Sequence, residues 1–285
     1  MQTLTYKLIF GDSEFVLDDI EKESIDLIVT SPPYFDMRGH VKYDTYNDYL
    51  HKMQGIFNKL YKVLKPHRVA VINSSPYIKD GKRYGLPFDL YQLMLNAGFK
   101  FLDVILWIKP SGILGGGGRR CGNFVKRPYP FYYKPNMLEE YIMVFSKYNI
   151  QPPRVFNEKV ERSKIVDFDS IKPYLSNVWE IHPVVEPSHN PNAHPAMFPI
   201  EIPYNIIRLY SYWGDTVLDP FLGSGTTMLA CKQLDRGCIG IELEEKYEDM
   251  IKSKVHWGVP CSFRDDIEYQ YELVRYDQKS HSCRR

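Results

Sequence analysis

Two short segments of the 285-residue sequence combine side chains and backbone groups that could do chemistry. In the first, the apolar run Asp26-Leu-Ile-Val-Thr30 leads straight into Ser31-Pro32-Pro33-Tyr34. Successive prolines fix φ and have no N–H, so this strand end offers carbonyl oxygens and the Ser31 hydroxyl, with an aromatic face beside them. Such a set suits a planar amine; taken alone, it equally suits a Pro-Pro pair that merely ends a strand. In the second segment, Val217-Leu-Asp219-Pro-Phe221-Leu-Gly223-Ser224-Gly225-Thr226-Thr227 passes from an apolar run through two glycines into a helical pattern. Glycines let the backbone approach a ligand, and the first turn of the following helix points unpaired N–H groups towards it. Seventeen residues after Gly225, Ile239-Gly-Ile-Glu242 ends in a carboxylate, placed at a strand end to accept from ribose hydroxyls. Together these features imply an adenosine-type cofactor; the alternative is a tight turn needed for packing. A phosphate-binding loop is disfavoured because no Gly-Lys-Ser/Thr follows the turn. A dinucleotide dehydrogenase would carry the turn near the start of the chain, not at residue 223.

The elements that must position these groups follow an α/β rhythm. Short runs rich in β-branched residues at 8–10, 26–30, 69–73, 104–108, 141–145, 217–219 and 239–242 predict strands buried on both faces of a mostly parallel sheet. Helix-length amphipathic stretches at 46–64, 88–97, 202–211 and 226–234 lie between several of them, giving a doubly wound α/β pattern. Two stretches break the rhythm: Ser111-Gly-Ile-Leu-Gly-Gly-Gly-Gly118 is a flexible loop, and 151–194 has no clear period. The expected organisation is a main domain from 1–109 and 194–268, an insertion at 110–193, and a polar tail at 269–285.

Hydrophobic residues make up 44% and charged residues 25% of the chain, the balance of an ordinary globular protein. Five scattered cysteines form no C-x-x-C pair, which fits a reducing cytoplasm rather than a zinc or disulfide framework. The N-terminus has no signal-like segment, and no run approaches the roughly 18 apolar residues of a membrane span; the expected localisation is cytoplasmic. Net charge is +1, but 109–164 holds eleven Lys/Arg against four Glu and no Asp. A basic insertion in a neutral protein results.

Ser31-Pro32-Pro33-Tyr34 resembles the D/N/S-P-P-Y/F/W signature of DNA amino-methyltransferases, and Asp219-Pro-Phe221-x-Gly223-Ser224-Gly225-Thr226-Thr227 resembles their F-x-G-x-G cofactor motif. The catalytic motif comes first, the cofactor motif last and the recognition region between them. This order is similar to that of the permuted β-class enzymes of restriction–modification systems. Gly11-Asp12, Val63-Leu-Lys-Pro66, Leu106-Trp-Ile-Lys109 and His194-Pro-Ala-Met-Phe198-Pro199, leading into Ile206-Ile-Arg-Leu-Tyr-Ser211, match in the expected order. The resemblance implies a class I S-adenosylmethionine methyltransferase fold: a seven-stranded sheet in circularly permuted order with an inserted target-recognition region. It further implies that Phe221, Gly223, Gly225, Thr226 and Thr227 hold the methionine part of S-adenosylmethionine, with Thr30, Asp219, Ser224 and Phe198 in the same site. Glu242 would take the ribose and Asp12 the adenine amino group, and the segment beginning at His194 would close the pocket. Asp12 reads equally as a turn residue after Gly11, and His194 as part of a loop shaped by Pro195 and Pro199.

The implied reaction is sequence-specific methyl transfer to the N4 amino group of a flipped cytosine in double-stranded DNA, by direct in-line displacement. Extruding the nucleotide costs a few kcal/mol, part of which stacking on Tyr34 offsets, at ~1–3 kcal/mol. Ser31, Pro32, Pro33 and Tyr34 form the catalytic set, and no metal is implied. A C5-cytosine enzyme would need a Pro-Cys strand end, and Pro260-Cys261 lies far downstream of any such position. In the family, Ser at the first motif position goes with N4-cytosine, and Asp or Asn mostly with N6-adenine. N6-adenine methylation stays open. Amide methylation is disfavoured by Ser31 and by motif order, and a non-catalytic nucleic-acid-binding subunit by the intact Gly223 and Pro-Pro pair. In the insertion, Arg119, Arg120, Lys126, Arg127, Lys134 and Arg154 interleave with Phe124, Tyr129, Phe131, Tyr132 and Tyr133. They would contact phosphates and guanine edges, or else form a solvated basic face over an aromatic mini-core. The implied partners are double-stranded DNA and a restriction endonuclease acting on the same site; the protein would be a monomer or homodimer.

Overall fold

The computed structural model describes residues 1–35, 43–79, 82–110, 127–133, 135, 137–150, 157–184, 198–260 and 266–276. In chain order the strands are β1 (Gln2–Phe10), β2 (Ile25–Thr30), β3 (Leu64–Ser74), β4 (Tyr77–Lys79), β5 (Lys82–Tyr84), β6 (Lys100–Ile108), β7 (Glu139–Ser146), β8 (Val178–Glu180), β9 (Thr216–Asp219), β10 (Gly237–Glu242) and β11 (Ile267–Arg275). The helices are α1 (Ser13–Val16), α2 (Tyr46–Val63), α3 (Leu86–Asn96), α4 (Glu158–Arg162), α5 (Phe168–Ile171), α6 (Glu201–Tyr210), α7 (Thr226–Gln233) and α8 (Glu248–Lys254).

Residue chemistry accounts for the elements that matter most to the site. Every side chain of β2 is buried, as a central strand covered on both faces demands. On α2 the buried stripe Tyr49, Met53, Ile56, Phe57, Leu60 and Val63 is closed at its start by a capping box between Thr45 and Asp48, which satisfies two otherwise orphaned backbone donors. The strands form one sheet in the order β11-β1-β10-β9-β2-β3-β7-β6-β8, with β4 and β5 as a separate hairpin. Among the described strands of this sheet, only β7 runs against its neighbours, β3 and β6. One core layer packs the sheet against α6, α7 and α8, and the other packs it against α1, α2 and α3. Among the described residues no helix is long and apolar enough to cross a membrane.

The doubly wound, mostly parallel α/β fold is as expected, with three departures. The sheet has nine strands, not seven. The expected polar tail at 269–285 begins inside β11, which pairs with β1 from Gln2↔Ile267 to Phe10↔Arg275. There Tyr269, Tyr271 and Leu273 pack inward while Glu268, Gln270 and Glu272 alternate outward, so a half-polar edge strand resembles a tail in composition. The 110–193 region is also not a unit apart. β7 and β8, both within it, hydrogen-bond into the main sheet, and Trp179 of β8 is fully buried.

At the sheet centre β9 and β2 are neighbours, with Leu27↔Val217 and Ile28↔Leu218 in register. Strand order runs outward from this pair in both directions, from β2 to β3 and from β9 to β10. Open α/β sheets bind ligands outside the carboxyl ends of their strands at such a switch point.

Candidate active site

The two chemical segments meet at Asp219, the last residue of β9, which is 1% exposed. Thr30, 189 positions away in sequence, donates its hydroxyl to Asp219 Oδ1 at 2.7 Å. Thr227, in the first turn of α7, donates to Oδ2 at 2.6 Å, and the Phe221 N–H donates to Oδ1 at 3.0 Å. Burial pushes the Asp219 carboxyl up to about 6, against the pull of these donors. The strand end that carries Ser31 is thereby fastened beside the glycine turn.

In the turn, Gly223 and Gly225 adopt left-handed φ values of 56° and 84°, and a Cβ on Gly225 would stand 3.1 Å from Ile251 Cγ2. The Gly223 N–H donates to Glu242 Oε2 at 2.8 Å, and the Glu244 N–H donates to Oε1 at 2.9 Å. Burial pushes the Glu242 carboxyl up to about 7 while these bonds hold it down. Ser224 and Thr226 turn towards α8, where Lys254 Nζ donates to their hydroxyls at 2.7 and 3.3 Å. The Gly11 N–H bonds the Glu242 carbonyl at 2.9 Å, which places Asp12 at the next strand end. Asp12 caps α1 through the Glu14 N–H and pairs with Lys52. Asp12, Glu242, the glycine turn and Ser31 thus follow one another across β1, β10, β9 and β2. Three strand spacings of ~4.8 Å make this edge about 14 Å long.

On the other side of Ser31, Tyr34 lies with its hydroxyl 3.0 Å from Ser75 Oγ and its ring stacked on Tyr77, centroids 5.7 Å apart. Burial first, then the Glu140 charge, push its phenol up, so Tyr34 is neutral. Glu140 accepts from Lys109 Nζ at 2.6 Å and from Asn73 Nδ2 at 2.7 Å. Phe198 packs on the layer beneath α6–α8, and Phe221 on the opposite one. Among the basic residues expected at DNA, Arg127 is exposed and lies over the Tyr132 ring at 6.0 Å. Tyr129, Phe131, Tyr132 and Tyr133 are exposed, Phe131 at 99%, which is not the arrangement of a mini-core. His194, Arg119, Arg120, Lys126, Lys134 and Arg154 lie outside the described residues.

Against this geometry, the DNA methylase family model (N6_N4_Mtase) matches residues 25–253. The chain belongs to the DNA methylase family. Relatives of this methylase include the type II methyltransferase M.MjaI of Methanocaldococcus jannaschii, 30% identical over 89% of this chain and 92% of that protein. M.HpaI of Haemophilus parainfluenzae, also a type II methyltransferase, is 30% identical over 87% of this chain and 74% of its own length. Among solved structures, the fold matches that of PvuII DNA methyltransferase (cytosine-N4-specific), with TM-score 0.68, 22% identity and coverage of 93% and 89% of the two chains. It also matches the Thermus thermophilus protein TTHA0409, described as a DNA modification methylase, complexed with S-adenosyl-L-methionine. There the TM-score is 0.70, with 23% identity and coverage of 95% and 100%.

Sequence reading missed the groups that stand around Tyr34: Ser75, Tyr77 and Glu140, with Asn73 bonded to Glu140. A signal was present. Val69-Ala-Val-Ile-Asn73-Ser-Ser75-Pro-Tyr77 repeats the grammar of Leu27-Ile-Val-Thr30-Ser31-Pro-Pro-Tyr34, an apolar strand that ends in hydroxyls, proline and tyrosine. Two adjacent parallel strands with the same ending place two matching polar ends side by side.

Proposed function

We propose that this DNA methylase transfers a methyl group from S-adenosylmethionine to the N4 amino group of a cytosine extruded from double-stranded DNA. The observation that carries this reading is the Thr30–Asp219 tie, which sets an amine-binding strand end beside a nucleoside-binding turn. The residues fit the cofactor. Glu242 is a buried carboxylate already oriented by two backbone N–H groups, with acceptor capacity left for ribose hydroxyls. The left-handed glycines keep side chains out of the approach to the turn, and Asp12 stands where the base of the nucleoside would end. Phe221 and Gly223 border the methionine end; Thr227, fully buried, acts from behind by holding Asp219, and Ser224 and Thr226 shape the turn through Lys254. When bound, the cofactor supplies an electrophilic methyl group on a sulfonium.

The chain's own residues do the rest. The target amine is a weak nucleophile because its lone pair is delocalised into the ring. Ser31 Oγ and the Pro32 carbonyl accept hydrogen bonds from its two N–H groups and favour a pyramidal nitrogen whose lone pair faces the methyl; the nitrogen takes the methyl as the sulfur keeps the bonding pair, and the methylated amine then releases one proton to solvent. Tyr34 stacks on the extruded base. Holding both reactants in line contributes roughly 7–11 kcal/mol by proximity. Cytosine is assigned from Ser31, a neutral hydroxyl at the first motif position. The proposed partners are duplex DNA, read by Arg127 and its basic neighbours in sequence, and a restriction endonuclease acting on the same site.

Incubation with labelled cofactor and DNA, followed by nucleoside digestion and mass spectrometry, tests both levels. N4-methylcytosine is expected. N6-methyladenine would overturn the base assignment, and no methylated nucleoside would overturn the activity.

A further inference from the structure

A buried polar row lies beside the amine site, and the transfer step described above does not use it. On β3, Val69 and Val71 belong to the layer under α6–α8, and Ala70 and Ile72 to the opposite one; alternation puts Asn73 in the first layer. Ile142 and Val144 of β7, with Ile105 and Trp107 of β6, share that layer, so Glu140 and Lys109 project into it too. On β2 the same layer holds Leu27 and Val29. Ser31 follows in the same alternation, one residue beyond Thr30, which pairs with Ile72. Asn73, Glu140 and Lys109 are joined on one sheet face, and alternation carried one residue past the end of β2 sets Ser31 on the same face, across neighbouring strands β2, β3, β7 and β6.

Both oxygens of Glu140 are engaged, one by Lys109 Nζ and one by Asn73 Nδ2. That contact decides how the Asn73 amide is turned: its NH2 faces Glu140, so its oxygen faces away. Asn73 is 5% exposed, and its Oδ1 is shielded from solvent and has no hydrogen-bond partner. A buried acceptor left unpaired is costly unless a donor arrives. With this oxygen turned away from bulk solvent, a neighbouring hydroxyl is a fitting donor, and the register that pairs Thr30 with Ile72 sets Ser31 next to Asn73.

We propose that Asn73 is a positioning residue for Ser31: when the target amine is seated, the Ser31 hydroxyl donates to Asn73 Oδ1, so that Ser31 Oγ meets the amine purely as an acceptor. A serine hydroxyl can donate as well as accept, and the ring nitrogen beside either target amine is an acceptor that competes for its proton. Giving that proton to Asn73 removes the misaligned alternative. Glu140 and Lys109 act one step further back, by fixing the amide. No proton changes owner; one hydrogen bond is redirected. The inference rests on the amino-methylation reading.

The test is a set of single-turnover transfer rates for Asn73→Ala in three backgrounds: wild type, Ser31→Ala and Ser31→Asp. Cofactor affinity and melting temperature are measured alongside. In the wild type, Asn73→Ala is expected to slow transfer about tenfold, the rate equivalent of one hydrogen bond, with cofactor affinity unchanged. In Ser31→Ala the further loss stays below about twofold, and in Ser31→Asp, whose carboxylate has no proton to give, there is none. Equal losses in all three backgrounds would make Asn73 a structural residue and overturn the proposal. If Asn73→Ala lowers the melting temperature, Glu140→Gln, which frees the amide to flip without removing a side chain, carries the same comparison. A wild-type protein that methylates no DNA would sink the amino-methylation reading itself, a result distinct from equal losses.

Discussion

At the scale of single residues, the proposed reaction separates groups that would meet substrate from groups that hold other groups in place. Ser31 and Tyr34 belong to the first kind. Replacing either by Ala is expected to lower methyl transfer at least about a hundredfold, with cofactor affinity, measured by calorimetry, within about twofold of wild type. A collapse of cofactor affinity instead would mean that the roles are wrongly divided. Asp219 belongs to the second kind, since both its oxygens are occupied by Thr30, Thr227 and Phe221. Glu242 bridges the two kinds, and its ionisation gives it a pH signature. Burial raises Glu242 from 4.5 to about 7 and Asp219 from 3.8 to about 6. A raised folded-state value means that the native protein binds the proton more tightly than the unfolded chain does. Their contribution to stability is therefore fully present below the unfolded values and is lost as pH rises through about 6 and 7. With Glu242 taking the ribose as proposed, the hydroxyls donate to the ionised carboxylate, so cofactor affinity should move the other way and strengthen as pH rises through about 7. In Glu242→Gln, melting curves between about pH 5 and 8 should be flatter and cofactor affinity should lose that rise; a variant with the wild-type pH dependence of affinity would refute the ribose assignment.

At the scale of elements, the turn between β9 and α7 works because Gly225 takes a left-handed φ of 84° at the helix N-cap and leaves no Cβ against Ile251. Gly225→Ala should cost roughly 1–2 kcal/mol from backbone conformation alone, readable by denaturant titration, and weaken cofactor binding further. As a control remote from the site, Thr45→Ala removes the α2 capping box and should cost ~1 kcal/mol without affecting affinity. The edge strand β11 makes a sharper distinction. Its Tyr269 and Tyr271 rings stack on Tyr6 at 6.4 and 5.4 Å, and its backbone covers the edge of β1. Truncation after Asp266 should lower the melting temperature by several degrees and expose an unpaired edge prone to association. An unchanged melting curve would show that the segment contributes nothing to the sheet.

For the whole molecule, a net charge of +1 gives no long-range attraction to DNA, so binding has to come from local positive charge near the target site. DNA affinity should fall steeply with salt, with a log–log slope of about −0.9 per phosphate contact, and Arg127→Ala should make the slope shallower by about one contact. A salt-independent affinity would contradict phosphate contact altogether.

What the sequence determined by itself is the chemistry that local patterns encode. Buried β-branched runs signal strands, Pro32-Pro33 signals an N–H-free strand end, Gly223 and Gly225 signal a turn that a ligand can approach, and Ser31 signals a neutral acceptor. Each follows from neighbours within a few residues. The fold class followed from the alternation of strand and helix patterns, and the family from the resemblance of the Ser31–Tyr34 and Asp219–Thr227 motifs together with their order. The tertiary structure decided what depends on partners distant in sequence. It placed β2 against β9 and joined Thr30 to Asp219 across 189 positions. It drew β11 out of an apparent tail, because only the Tyr6 face of β1 shows what the alternating tyrosines bury. It also brought Ser75 to Tyr34 and joined Asn73, Glu140 and Lys109 across strands β3, β7 and β6, whose adjacency sheet topology sets. A carboxylate such as Glu140 reads as an exposed charge in a list of residues; that it is buried, paired on both oxygens and turned towards Asn73 is a property of three strands hydrogen-bonded side by side.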